Sequence, residues 1–198
     1  MIAAGDAFQP VHGIYVVVLI VTVVPWAALE FRRALHRRPG ATRSDRGSQF
    51  VVRAGVGGGI LVGLLLAHAV PAARIHPEAL AACLGLVFVW CGAGLRIWCF
   101  RTLGTYFTFT VQTSGDQPVI DTGPYRWLRH PSYTGILFAY TGIGFFLDNW
   151  LAPLAILVGS SLGLAYRIQV EERALVGEMG DRYRDFAATR KRLIPYVW

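Results

Sequence analysis

A histidine, two arginines and an adjacent pair of glutamates lie at the two ends of one apolar hairpin in this 198-residue chain. Arg129 and His130 precede Pro131 in the strap GPYRWLRHPSYTG, residues 123–135. Arg167, Glu171 and Glu172 follow the hairpin's second apolar run. Arg167 and Glu171 are four apart, so on a helix they share a face. Pro131 suits the first turn of a helix, and the amides after it would face an anion held beside Arg129 and His130. Such a set suits a zwitterion, with arginine or helix amides for a carboxylate and glutamate for an ammonium or ribose hydroxyls.

The elements that must position these groups are apolar. Hydrophobic residues make up 54% of the chain and charged ones 16%, against roughly a quarter charged in soluble domains. The mean hydropathy is +0.44. Apolar blocks predict five membrane spans, at about 13–30, 54–72, 79–98, 132–147 and 151–166. The last two fall short of the roughly 20 residues of a comfortable crossing. Only Asp148-Asn149, a natural tight turn, divides them. A tilted hairpin, or four spans plus a re-entrant pair, satisfies that length. Either way the hairpin returns residue 167 to the membrane face of residue 130. The expected fold is an all-α integral membrane protein with a polar strap and C-terminal helices outside the bilayer.

Charge orients this arrangement. Arg32, Arg33, Arg37, Arg38, Arg43, Arg46 and Arg53 lie in or beside the first loop. Arg96, Arg101, Arg126 and Arg129 flank the third connection, and Arg167, Arg173, Arg182, Arg184, Arg190, Lys191 and Arg192 follow the last span. Arg74 alone is left for the other side. The positive-inside rule then puts the N-terminus outside and the strap and tail in the cytoplasm. Topology and anionic headgroups account for a pI near 9.8 without a nucleic-acid partner. The first apolar run is long enough to stay as a span, so no cleavable signal peptide is expected. A single lysine among 19 basic residues, with abundant Ala, Gly and Val, points to a GC-rich gene and a bacterial cytoplasmic membrane.

Smaller features complete the organisation. Gly55, Gly59 and Gly63 share a helix face that fits intramolecular packing or a homodimer seam. Cys83, Cys91 and Cys99 form no metal-ligand pattern, and we read them as packing residues, with no metal expected. Residues 36–49 read as a polar, arginine-rich loop. Trp98, Phe100, Tyr106, Phe107, Phe109, Tyr125 and Trp127 suit an aromatic belt or a lipid-facing entrance at the membrane surface. After Tyr166 a charged amphipathic helix is expected to Gly180, with Asp181 capping a second, short helix to about residue 189. Residues 1–75 then read as a two-helix anchor and 76–198 as the functional core.

The segments LGTYFT (103–108), PVIDTGPYRWLRHPSYTG (118–135), the pair Glu171-Glu172 and GDRYRDFAATRKRLIP (180–195) together resemble the isoprenylcysteine carboxyl methyltransferase family. The resemblance covers roughly residues 96–195, and its most specific part is the order RHPxY, apolar hairpin, EE. It implies an integral-membrane methyltransferase that uses S-adenosylmethionine without a Rossmann domain. Carried onto this sequence, it assigns cofactor contacts to Gly123, Tyr125, His130, Pro131, Tyr133, Glu171 and Glu172, and places Arg167 toward the methyl acceptor. Arg129 is a second candidate for orienting that acceptor. Gln117 stands where the family commonly has histidine; it can hydrogen-bond the cofactor but cannot titrate near neutrality. The expected acceptor is a lipophilic carboxylate, isoprenylcysteine-like or an isoprenoid acid, reaching the site from the bilayer.

Other readings start from the same residues. Membrane sterol reductases resemble the chain in RHPxYxG and in RKRLIP, which would imply NADPH and hydride transfer. A phospholipid amine or a lipophilic thiol could replace the carboxylate acceptor; either would need deprotonation, with Glu171 as the candidate to assist. A non-enzymatic membrane protein that binds a ligand at the same place is the third.

Overall fold

A computed structural model describes residues 10–34, 42–43, 45–107, 112–113 and 118–194. Six α-helices organise it: α1 (Pro10–Ala34), α2 (Ser48–Ala69), α3 (Glu78–Leu103), α4 (Pro131–Phe145), α5 (Leu151–Met179) and α6 (Asp181–Ala188). Thr42–Arg43 and Gln112–Thr113 form a two-residue antiparallel pairing, β1 with β2. Among the described residues, three helices are long and apolar enough to cross a membrane: Ser48–Ala69, Glu78–Tyr106 and Leu151–Met179. The helix α4 has 15 residues, about 22 Å at 1.5 Å per residue, against a hydrocarbon core of about 30 Å. Gln117 and Phe109 lie outside the described residues.

Small residues set the helix spacing. A Cβ built on Gly59 would lie 2.9 Å from the Ala155 carbonyl oxygen, and one on Gly63 would lie 3.3 Å from the Ala152 Cα. The glycine face of α2 is therefore filled by α5 of the same chain. Of the two readings of Gly55, Gly59 and Gly63, the structure shows the intramolecular one: backbone from the same chain occupies the groove, which leaves the homodimer seam without support. The pair α3 and α4 meets in the same way, where a Cβ on Gly135 would stand 2.8 Å from the Gly92 carbonyl oxygen.

The tight turn between α4 and α5 forms where Asp148-Asn149 predicts it. Asp148 has φ 50, and the Asn149 side chain accepts from Leu151 N at 2.9 Å while donating to the Val70 carbonyl at 2.9 Å. The backbone of Ile75 donates to Asp148 O, and that of Trp150 to Ala73 O, tying this end of the bundle together.

Three expectations change at the opposite end. The fifth apolar run and the charged helix expected from Tyr166 to Gly180 are one element: α5 continues unbroken for 29 residues, about 43 Å, and carries Arg167, Glu171 and Glu172 on one rod. Gly180, at φ 56, ends it, but Asp181 is the first residue of α6 and makes no cap; it pairs with Arg184 instead. Part of the loop before α2 folds inward, since Asp45 and Ser48 are both buried.

The aromatic cluster also divides. Trp98 and Trp127 stay largely exposed, and their rings meet edge to face at 6.0 Å. Phe100, Phe107 and Tyr125 are buried, the two phenylalanines under the Arg96 guanidinium. Of the three cysteines, Cys99 is buried, whereas Cys83 and Cys91 face outward and do not pack inside the bundle.

Candidate active site

The strap reaches its position through backbone pairing with the tail. Gly123–Arg126 forms a 3-10 turn. Gly123 is there at φ 55, where a Cβ would stand 2.6 Å from Thr102 Oγ1. Arg129 N then donates to Lys191 O at 2.8 Å and His130 N to Arg192 O at 3.0 Å. Thr134 Oγ1 donates to Leu193 O at 2.7 Å. The tail thus lies along the strap at the foot of α4, which starts at Pro131 as the sequence predicts.

Glu172 is the centre of one cluster. It accepts from Arg129 Nη1 at 2.8 Å and from Arg192 Nε and Nη2 at 3.1 and 2.9 Å, and lies 3.3 Å from His130 Nε2. The amides of Tyr133 and Thr134 are engaged by the His130 carbonyl. Two of the amides at the helix start are thus already engaged, and the cationic groups gathered here are the side chains of Arg129 and Arg192. Two buried donors, Arg129 Nε and the Tyr183 hydroxyl, have no hydrogen-bond partner among the described residues. Burial, with Glu172 and Glu171 close by, pushes the Tyr183 phenol up and keeps it protonated.

Glu171 faces a second, adjoining group. It accepts a very short hydrogen bond from the Tyr133 hydroxyl and lies 3.7 Å from His130 Nδ1. The His130 and Tyr133 rings stack at 5.4 Å. Tyr125 is buried alongside; burial first, then the nearby Cys99 and Glu171, raises its phenol.

Arg167 joins this group to the foot of α2. It is 5% exposed and donates Nε–H to the Tyr133 hydroxyl at 2.8 Å. Its Nη1 reaches Asp45 Oδ1 and Ser48 Oγ, both at 3.1 Å. Ser48 Oγ also donates to Asp45 Oδ1 at 3.0 Å. Burial alone would raise the Asp45 carboxyl, but the Ser48 hydrogen bond and the Arg167 charge outweigh it and hold it below the usual aspartate range.

On the far side of Tyr133 and Arg167 lies a cavity of about 560 Å³ between the helices. Trp26, Val56, Ile60, Ile136 and Tyr140 give it an apolar wall. Its charged lining is Glu30, Arg53, Arg96 and Arg167.

The fold thus brings together His130, Tyr133, Arg167, Glu171, Glu172 and Arg129. Arg129 belongs to the Glu172 cluster, away from Arg167. Sequence reasoning missed Asp45, Ser48, Tyr183 and Arg192. A signal for the first two existed in the DxxS spacing just before a span, and for Arg192 in the basic run at 190–192.

Known proteins resemble this chain over the same segment. The model of the isoprenylcysteine carboxyl methyltransferase (ICMT) family matches residues 83–177, the segment holding every one of these residues except Asp45, Ser48, Tyr183 and Arg192. A protein-S-isoprenylcysteine O-methyltransferase from Tribolium castaneum is 32% identical over 116 residues, 58% of this chain and 41% of its own length. The protein of that name from Xenopus laevis is 29% identical over 116 residues, 58% of this chain and 40% of its own. A solved structure of the eukaryotic intramembrane Ras methyltransferase ICMT matches with a TM-score of 0.60 and 27% identity, over 77% of this chain and 54% of that one. The chain covers less than two-thirds of the length of each of these relatives. Fold and matched segment point the same way: this integral membrane protein resembles the isoprenylcysteine carboxyl methyltransferase family.

Proposed function

We propose that the protein transfers the methyl group of S-adenosylmethionine to a lipophilic carboxylate, of isoprenylcysteine or isoprenoid-acid type, at the cytoplasmic face of a bacterial membrane. One observation carries the reading. Tyr133 and Arg167 line the apolar cavity, and the Tyr133 hydroxyl ties Arg167 to Glu171 in the adjoining polar cluster. A reaction between a soluble, zwitterionic donor and a lipid-soluble acceptor needs that partition.

The residues fit the amino-acid end of the donor. Arg129, with its buried Nε still able to donate, His130, Arg192 and the Tyr183 hydroxyl supply contacts for a carboxylate. Glu171, whose side chain is 28% exposed, is the group for the ammonium. Glu172 holds the surrounding cations in place. Tyr125, Pro131 and Gly123 shape the wall, and Gln117 is assigned to the same site. When bound, the cofactor supplies an electrophilic sulfonium methyl, so that a carboxylate oxygen forms the new C–O bond as the S–C bond breaks, with no proton to move.

The protein's own task is alignment and exclusion of water. Arg167 orients the acceptor carboxylate, and the Tyr133 hydroxyl fixes Arg167. With Arg96 paired to Glu30 and Arg167 to Asp45, Arg53 still leaves the cavity lining net positive, which favours an anionic head over an amine. An ionised carboxylate also needs no base, whereas a thiol would. The core at 76–198 carries the donor site, residues 1–75 contribute the cavity wall, and the arginine distribution supports an outside N-terminus.

Calorimetry on the detergent-purified protein tests the reading. Saturable binding of S-adenosylmethionine is expected. Absence of binding, with stabilisation by NADPH in its place, would overturn it in favour of a reductase.

A further inference from the structure

Among the described residues, a small number of polar contacts hold the helix α1 to the bundle. Ile14, Val17, Ile20, Val21 and Val24 along it are all more than half exposed. Toward its other face, Trp90 Nε1 donates to Thr22 Oγ1 at 3.0 Å, and the Trp26 and Tyr140 rings meet edge to face. The strongest link is an ion pair. Arg96 Nε and Nη2 each donate at 2.5 Å to a separate oxygen of Glu30, a bidentate fork between α3 and α1.

This pair is unusual in its location. Arg96 is 2% exposed, and both partners line the acceptor cavity. The third nitrogen, Nη1, donates to the Ser132 carbonyl at 3.1 Å and to its hydroxyl at 2.8 Å. Ser132 immediately precedes Tyr133, the residue that bridges Arg167 and Glu171. One guanidinium therefore joins the lipid-side wall of the cavity to the first turn of α4. Buried ion pairs contribute little net stability, but removing one partner strands the other charge. Helix packing alone asks for apolar contact here; a charge pair at a cavity wall does something more specific.

We propose that Glu30 is a positioning residue. Through Arg96 it clasps α1 over the acceptor cavity and sets the start of α4, and the clasp must yield for a lipophilic acceptor to pass from the bilayer to Arg167. What passes depends on the methyl-transfer reading; the clasp does not.

The experiment therefore has two arms, on the full-length protein in lipid nanodiscs. In a Cys83→Ala/Cys91→Ala background, Val56→Cys places a reporter on the buried cavity wall, and alkylation by N-phenylmaleimide is followed at that position by mass spectrometry. Adding Glu30→Gln is expected to speed alkylation about fivefold or more, with Glu30→Asp intermediate, as a local opening becomes more populated. In the methylation arm, Glu30→Gln is expected to change the acceptor KM about tenfold, while cofactor affinity by calorimetry stays put. Equal alkylation rates in the Glu30→Gln protein and its parent, with cofactor binding retained, would overturn the clasp. If Glu30→Gln does not fold, Glu30→Asp provides the same comparison. A wild-type protein that transfers no methyl group refutes the function and leaves the alkylation arm to decide the clasp.

Discussion

Arg167 on α5 donates its Nε–H to the Tyr133 hydroxyl on α4 at 2.8 Å, and that hydroxyl donates in turn to Glu171. The contact closes the short hairpin at its polar end and links the lining of the apolar cavity to the glutamate cluster.

Replacing Arg167 by lysine keeps the charge and loses the planar fork that spans Tyr133, Asp45 and Ser48. We expect kcat to fall about a hundredfold, the scale of losing one oriented donor. Cofactor affinity should be unchanged by calorimetry; a parallel loss of both would place Arg167 in the donor site.

Tyr133→Phe removes one hydroxyl and leaves the ring stacked on His130. Thermal unfolding should show a loss of about 1–3 kcal/mol for hydrogen bonds to charged partners. Methyl transfer should fall at least about tenfold, because Arg167 loses its aim. Full activity in this variant would remove Tyr133 from the account.

Glu172→Gln leaves Arg129, His130 and Arg192 without their shared carboxylate. Cofactor affinity should weaken about tenfold or more, as expected for a charged pair broken in a shielded site. The acceptor KM should move much less, which separates this cluster from the cavity.

Gly59→Ala and Gly58→Ala test the helix seam. A Cβ on Gly59 meets the Ala155 carbonyl oxygen and the Ile156 Cα at 2.9 Å, while one on Gly58 meets nothing within 4 Å. Overpacking predicts a loss of about 1–3 kcal/mol for the first, and the second should lie within about 1 kcal/mol of wild type. Thermal midpoints in one detergent give the comparison.

Asp45 carries a pH signature. Its carboxyl is held below its ordinary value by Ser48 and Arg167 against the effect of burial. A lowered folded-state pKa contributes stability that is fully present above the unfolded value, about 3.9, and is lost as pH falls through the folded one. The stability advantage of wild type over Asp45→Asn should thus be flat from about pH 5 to 8 and shrink only at acid pH.

Much of the site is legible in the sequence because hairpin geometry is cheap to infer. Two apolar runs and a tight turn at Asp148-Asn149 are enough to bring His130 and Arg167 to one membrane face. The continuity of α5 is harder to see. Hydropathy drops at Tyr166, yet residues 166–179 hold three Glu, two Arg, and one each of Gln, Ala, Leu and Met, all strong helix formers, so the helix continues unbroken. The partners of Asp45, Ser48 and Arg192 are hidden for a different reason. Asp45 and Arg167 are 122 positions apart, and only the packed seam between α2 and α5 puts them together. Arg192 arrives through the backbone pairing of Lys191 with Leu128, which no periodicity encodes. The Glu30–Arg96 pair, 66 positions apart, belongs to the same class.

The central claim is ester formation on a lipophilic carboxylate. Purified protein is incubated with methyl-labelled S-adenosylmethionine and a fractionated native lipid extract, and the labelled lipid is then treated with mild alkali. The account predicts label in the lipid fraction that alkali releases as volatile methanol, and its loss in Arg167→Lys. Label that survives alkali, or cofactor binding with no transfer to any lipid fraction, would contradict it.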